Sequence, residues 1–161
     1  MKRILLAILT LATLLTSCDT VDNKTVGGYT VRINLGTYAL WNTYGVSGVG
    51  DYRIFNRAKQ LPSNFPYNAN TYTGLGGVLL IMALDAGSAS YSPQAFDAAC
   101  PVERSADVTV SIDPQNMEAV CPKCGSHFNV VTGSGGPVSG QAMAQKVGMR
   151  QYKVYQSQNG G

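Results

Sequence analysis

The chain has one histidine, one tryptophan and few charges, with charged residues at 13% of its 161 positions. With His127 as the only imidazole, no Ser-His-Asp arrangement is legible, and neither a paired-carboxylate signature nor a phosphate loop is present. No run of five basic residues exists, so no polyanion-binding stripe is legible and nucleic acid is not an expected partner. No segment keeps a helical hydrophobic period for ten residues, although residues 141–147 suggest one or two turns. No internal repeat is detectable. Gly74-Leu75-Gly76-Gly77 is rich in glycine, but it precedes a strand with no helix close behind it and reads as a turn.

Residues 4–15 form an uncharged, largely apolar run near the start, and it is too short to cross a bilayer, which takes about 20 apolar residues. Lys2 and Arg3 precede it and Leu15-Thr16-Ser17-Cys18 follows, before the first acidic residue, Asp19. That is the layout of a secretory signal, and the tetrapeptide resembles the bacterial lipobox. The expectation is a leader over residues 1–17, lipidation of Cys18, and a membrane partner through that anchor. Each buried methylene contributes ~0.8 kcal/mol, so two or three acyl chains bind firmly. The expected location is the bacterial cell envelope, outside the cytoplasm, on the periplasmic side or the cell surface. Losing Lys2 and Arg3 from the 12 basic residues leaves 10 against 9 acidic ones, a formal balance of +1. The remaining 144 of the 161 residues suit one domain that folds without disulfides.

Residues 18–28 read as a lipidated flexible tether, and residues 29–161 as a β domain. Alternation over 29–35 marks a half-buried strand. Residues 78–84 form a continuous apolar run of strand length, and 108–112, 129–131 and 150–155 are further short strands. Gly, Pro, Asn and Ser clusters separate them, so the fold class is all-β. Residues 45–77 read as a long insertion of loops. Its Arg53, Arg57 and Lys59 read as a solvated face rather than a pocket lining. The rings of the N-terminal half (Tyr29, Tyr38, Trp41, Tyr44, Tyr52, Phe55, Phe65, Tyr67 and Tyr72) suit core and edge packing more than a ligand groove.

Three cysteines remain in the domain: Cys100, followed by Pro101, and the pair in Cys121-Pro122-Lys123-Cys124-Gly125. Proline fixes one dihedral and Gly125 is free to take a positive φ, so each loop can curl its amides around a thiolate. The two turns resemble metal-binding knuckles. With Tyr91 and Ala95-Phe96-Asp97 ahead of the first loop, Ser126 and Phe128 after the second, and the glycine-proline stretch over 133–140, residues 75–155 resemble the Rieske iron-sulfur domain. The resemblance implies an antiparallel β-sandwich or barrel. It also implies a small two-loop subdomain at about 96–140, of the rubredoxin or zinc-ribbon kind.

That family binds one iron of a [2Fe-2S] cluster through two cysteines, matching Cys100 and Cys121, and the other through two histidines. Here the histidine positions are Val102 and Cys124, and valine has no lone pair to give. Three outcomes stay open. With no cofactor, the resemblance implies a Cys100–Cys121 disulfide, since those two share an iron and export favours oxidation. With zinc, Cys100, Cys121 and Cys124 need one more donor, for which Glu103 and His127 are the candidates. His127, beside a core-facing Phe128, is expected to point to water. With an altered [2Fe-2S] cluster, the chain would be a ferredoxin-like carrier passing electrons to a redox partner or another envelope protein. The leading expectation is the first: a non-catalytic structural or binding module, not an enzyme.

Overall fold

The computed structural model describes residues 20–155 apart from Ala86 and Gly133. The expected leader over 1–17 and the lipidation site Cys18 lie outside the described residues. Among them are ten strands and two short helices: β1 (Val31–Arg32), α1 (Tyr38–Tyr44), β2 (Tyr52–Phe55), β3 (Tyr72–Thr73), β4 (Val78–Asp85), β5 (Ser90–Asp97), β6 (Ser111–Ile112), β7 (Ala119–Val120), β8 (His127–Asn129), β9 (Gly136–Ser139), α2 (Gly140–Gln145) and β10 (Gln151–Tyr152). The regular structure is therefore mostly strand, and every named strand pair is antiparallel. No helix among the described residues is long and apolar enough to cross a membrane.

The architecture follows from β4, whose apolar run does not alternate because both of its faces are covered. Leu79, Ile81 and Ala83 face a core shared with Phe96, Phe128, Val130 and Met149. Val78 and Leu80 face a second core built with Val46, Phe55, Phe65 and Ala95. β4 lies between β2 and β5 in a sheet of order β10-β5-β4-β2. A second sheet, β6-β7-β8-β9, packs over the first core. β1, α1 and the rings of Trp41, Tyr44 and Tyr67 cover the other face.

β5 contains Pro93, which lacks an N–H. Its partner Met82 turns its own amide and carbonyl toward the opposite edge, bonding Asp51 and Gly50 at 2.9 Å each. The pair is thus a non-hydrogen-bonded one, and β10 reaches only as far as Ala95. Proline is tolerated where no ladder bond is asked of it.

Three expectations are corrected in extent. The strand expected over 29–35 is only Val31–Arg32, although alternate burial continues to residue 36. The tether expected over 18–28 is docked along part of its length: the Asp22 amide bonds the Lys146 carbonyl at 2.8 Å, the Gly148 amide bonds the Asp22 carbonyl at 3.0 Å, and Val26 is buried. The burial of one valine among small polar residues is the reason. The insertion at 45–77 contains β2 and β3. Its loop is packed by edge-to-face contacts of Phe65 with Tyr44, Phe55 and Tyr67, at centroid distances of 5.1, 5.1 and 4.7 Å.

Candidate metal centre

Beyond β5 the chain crosses from the first sheet to the second, with Val110 N–H bonding Ala98 at 2.8 Å and Cys100 N–H bonding Val108 at 3.0 Å. Cys100 thereby enters its loop from a fixed frame. Cys121 does the same from β7, its amide bonded to the Ser126 carbonyl at 2.9 Å.

The two loops are built alike. In the first, the Arg104 amide closes back on the Cys100 carbonyl at 2.8 Å, and in the second the Gly125 amide closes on the Cys121 carbonyl at 3.0 Å. Arg104 and Gly125 both have positive φ, 51° and 64°. Gly125 takes this conformation without strain and Arg104 does not. Each turn aims interior amides at sulfur: Glu103 and Val102 toward Cys100, and Ser126 toward Cys124. By place in the turn, Glu103 corresponds to Cys124 and Val102 to Lys123.

The three sulfurs of Cys100, Cys121 and Cys124 converge, all within 4.8 Å of one another. Cys100 and Cys121 are buried and Cys124 is partly exposed. Cys100 and Cys121, the pair expected to bridge in the absence of a cofactor, stand side by side as thiols in this structure. All three are free thiols in mutual contact, with Cys100 and Cys124 3.6 Å apart.

The two inner environments pull the thiols apart in acidity. Burial pushes the Cys100 thiol up to about 12, against the pull of the Glu103 and Val102 amides. Burial acts on Cys124 in the same sense, but the Ser126 hydroxyl and amide, with the Cys121 and Cys100 thiols, outweigh it and lower its pKa. Ser126 is placed for this. Its oxygen accepts from the Ala142 amide at 3.0 Å and from the Cys124 thiol at 3.2 Å, and its own proton can turn to that sulfur once the thiol ionises.

The candidates for a fourth donor are engaged elsewhere. Glu103 meets the Lys123 ammonium at 2.5 Å. His127 lies on β8, and its Nδ1 is 2.8 Å from Glu118 while the neighbouring Phe128 is buried. Val102 packs against the main core and carries no donor. A two-iron cluster asks for two donors on each iron. Three sulfurs gathered about one point, with valine at the remaining position, do not supply that set. They do suit a single thiophilic ion.

Residues that sequence reasoning passed over hold the site in place. Asp97 is fully buried, and its carboxylate accepts four hydrogen bonds: from the amides of Gly76 (3.0 Å), Ala99 (2.8 Å) and Leu75 (2.9 Å), and from the Tyr152 hydroxyl (2.7 Å). The glycine-rich turn thus wraps a carboxylate of the chain rather than a phosphate. The sequence singled out Asp97 only as part of the Ala95-Phe96-Asp97 stretch ahead of the first loop, with no sign of these partners. Arg53, Arg57 and Lys59 do not meet at a pocket. They bond Asp51, the Thr71 carbonyl and Thr109 respectively.

Compared with protein-family models, with curated proteins and with solved structures, the chain finds no match in any of the three.

Proposed function

We propose that this chain is a membrane-tethered lipoprotein of the bacterial cell envelope. Its folded part is a Rieske-like, non-catalytic β module whose two-loop tip binds one zinc ion through Cys100, Cys121 and Cys124. The observation that carries the reading is the convergence of the three sulfurs within 4.8 Å. Zinc–sulfur bonds of about 2.3 Å place tetrahedral thiolates about 3.8 Å apart. The Cys100–Cys124 spacing of 3.6 Å is already close to that.

The fourth donor in this proposal is Glu103, which stands in its loop where Cys124 stands in the other. Lys123 is its present partner, and that side chain is 65% exposed. The Glu103 side chain is only 15% exposed, so in this proposal the zinc ion replaces the Lys123 ammonium as the counter-charge of a largely buried carboxylate. Zinc with four protein ligands is a closed, structural site, and here it ties the first loop to the second.

The 3.6 Å contact supports a second reading, a module whose loops are joined by a Cys100–Cys124 disulfide in an oxidising compartment. Metal analysis with an absorption spectrum separates these. A colourless protein with one zinc per chain, released by a thiol reagent, supports the zinc reading. Metal-free protein that is two mass units lighter, with the loss mapped to Cys100 and Cys124, supports the disulfide. Two irons with visible bands at about 400–600 nm overturn both and restore the electron carrier.

A further inference from the structure

On the face of β4 away from the cysteine loops, the cover does not close on the sheet. It leaves a cleft of about 740 Å³, a volume typical of small-molecule sites, which run from roughly 300 to 1,000 Å³. The walls are apolar, part aliphatic and part aromatic. Val31, Ile33 and Leu35 line one side, Val78 and Leu80 the other, and Trp41 lines it as well. Arg32 and Lys153, both exposed and each set between residues that face the cleft, stand at its rim, and no carboxylate lines it. Among the described residues neither cation has a hydrogen-bond or ion-pair partner for its side chain. Asp97 is reached from the cleft only through the Tyr152 hydroxyl that bonds it, and Asp85, which lines an adjoining hollow with Lys153, accepts from Gly87 and Ser88.

A neutral chain in this cleft makes no use of the two cations at its rim, and a small polar anion leaves the apolar walls unfilled. We infer that the cleft binds a free aliphatic carboxylate, its chain between the cover and β4 and its head group on Arg32 and Lys153. The cover is lightly held, since β1 pairs only with the two residues of β3. Opening at this edge therefore breaks few bonds. The inference stands apart from the zinc reading, because the cleft and the cysteines lie on opposite faces of β4.

Trp41 is the chain's single tryptophan, so its fluorescence reports this cleft alone. Dodecanoate, kept below its micelle concentration and titrated into the full chain, is expected to shift Trp41 emission to saturation at one ligand per chain. Dodecanol is expected to bind at least tenfold more weakly. Arg32→Glu combined with Lys153→Glu is expected to weaken dodecanoate at least tenfold with an unchanged melting temperature. Should that pair disturb folding, Arg32→Gln with Lys153→Gln is expected to weaken it several-fold. No Trp41 response, equal binding of dodecanol, or unchanged affinity in a folded variant pair overturns the inference. So does a response to phosphatidylglycerol vesicles in place of dodecanoate, which would assign the cleft to a membrane surface.

Discussion

The Tyr152 hydroxyl donates to Oδ2 of Asp97 at 2.7 Å, joining the last strand to the strand that delivers Cys100. A hydrogen bond to a charged group contributes about 1.5–3 kcal/mol, and Tyr152→Phe is expected to lose stability in that range. Asp97→Ala is expected to lose more, because it also orphans the amides of Leu75, Gly76 and Ala99. Urea denaturation of both variants checks the order, and an Asp97→Ala no less stable than Tyr152→Phe would remove Asp97 from its central place.

Gly76 is the point where the wrapped turn lies closest to the cysteine loop. A Cβ there would stand 2.4 Å from the Ala99 nitrogen and 2.6 Å from its Cα, both backbone atoms. Backbone on both sides cannot yield by a rotamer change, so Gly76→Ala is expected to cost several kcal/mol, as overpacking in a filled interior does. Gly48→Ala is the control, with open space around its Cβ, and is expected to leave the melting temperature nearly unchanged.

Alkali is expected to destabilise the metal-free protein. Burial raises Cys100 from an ordinary value of 9.0 to about 12, Tyr67 from 10.0 to about 12, and Tyr152 further still, with Asp97 adding to the last. Between those limits the folded chain keeps protons that the unfolded chain has released, so stability falls as pH rises. The contribution is complete below about pH 9 and lost by about pH 12. A urea midpoint that drops between pH 8 and pH 10.5 is the expected result, and a flat profile contradicts it.

What the sequence made legible divides along physical lines. The run over 78–84 announced β4 because burial on both faces leaves a continuous apolar stretch, and the two Cys-Pro turns announced the loops because proline and glycine mark them locally. β5 was hidden by Pro93, whose missing donor reads as a strand breaker until the open edge beside it is known. α1 has no buried residue and so no apolar period; it begins at Thr37, whose Oγ1 accepts from the Leu40 amide at 3.2 Å. The partners of Asp97 lie between 2 and 55 residues away. Contacts of 21 residues and more leave no local pattern, and neither does the bond from the Ala142 amide, 16 residues on, that orients Ser126 beside Cys124.

Cys124 is expected to be the thiol that reacts first. It is partly exposed and its pKa is lowered, whereas Cys100 is buried and raised. Reactivity follows thiolate character and access. Iodoacetamide near pH 7.5 on the metal-free protein should label Cys124 alone at early times, as peptide mapping would show. Ser126→Ala removes the hydroxyl that favours the thiolate and is expected to slow labelling several-fold, while preferential labelling of Cys100 would contradict the assignment.

The choice of fourth zinc donor is separable from the site itself. Glu103 and Cys124 hold matching places in two turns closed by the same backbone bond, while His127 is tied to Glu118. Glu103→Cys completes a four-thiolate set and is expected to tighten zinc at least tenfold, since thiolate suits zinc better than carboxylate in a structural site. Glu103→Gln is expected to weaken zinc by about the same factor, and His127→Gln to leave affinity and stoichiometry unchanged. Competition with a chromophoric chelator at pH 7 ranks the three variants. A loss of zinc in His127→Gln with none in Glu103→Gln would move the donor from the first loop to β8, and the likeness of the two turns would then carry no chemical meaning.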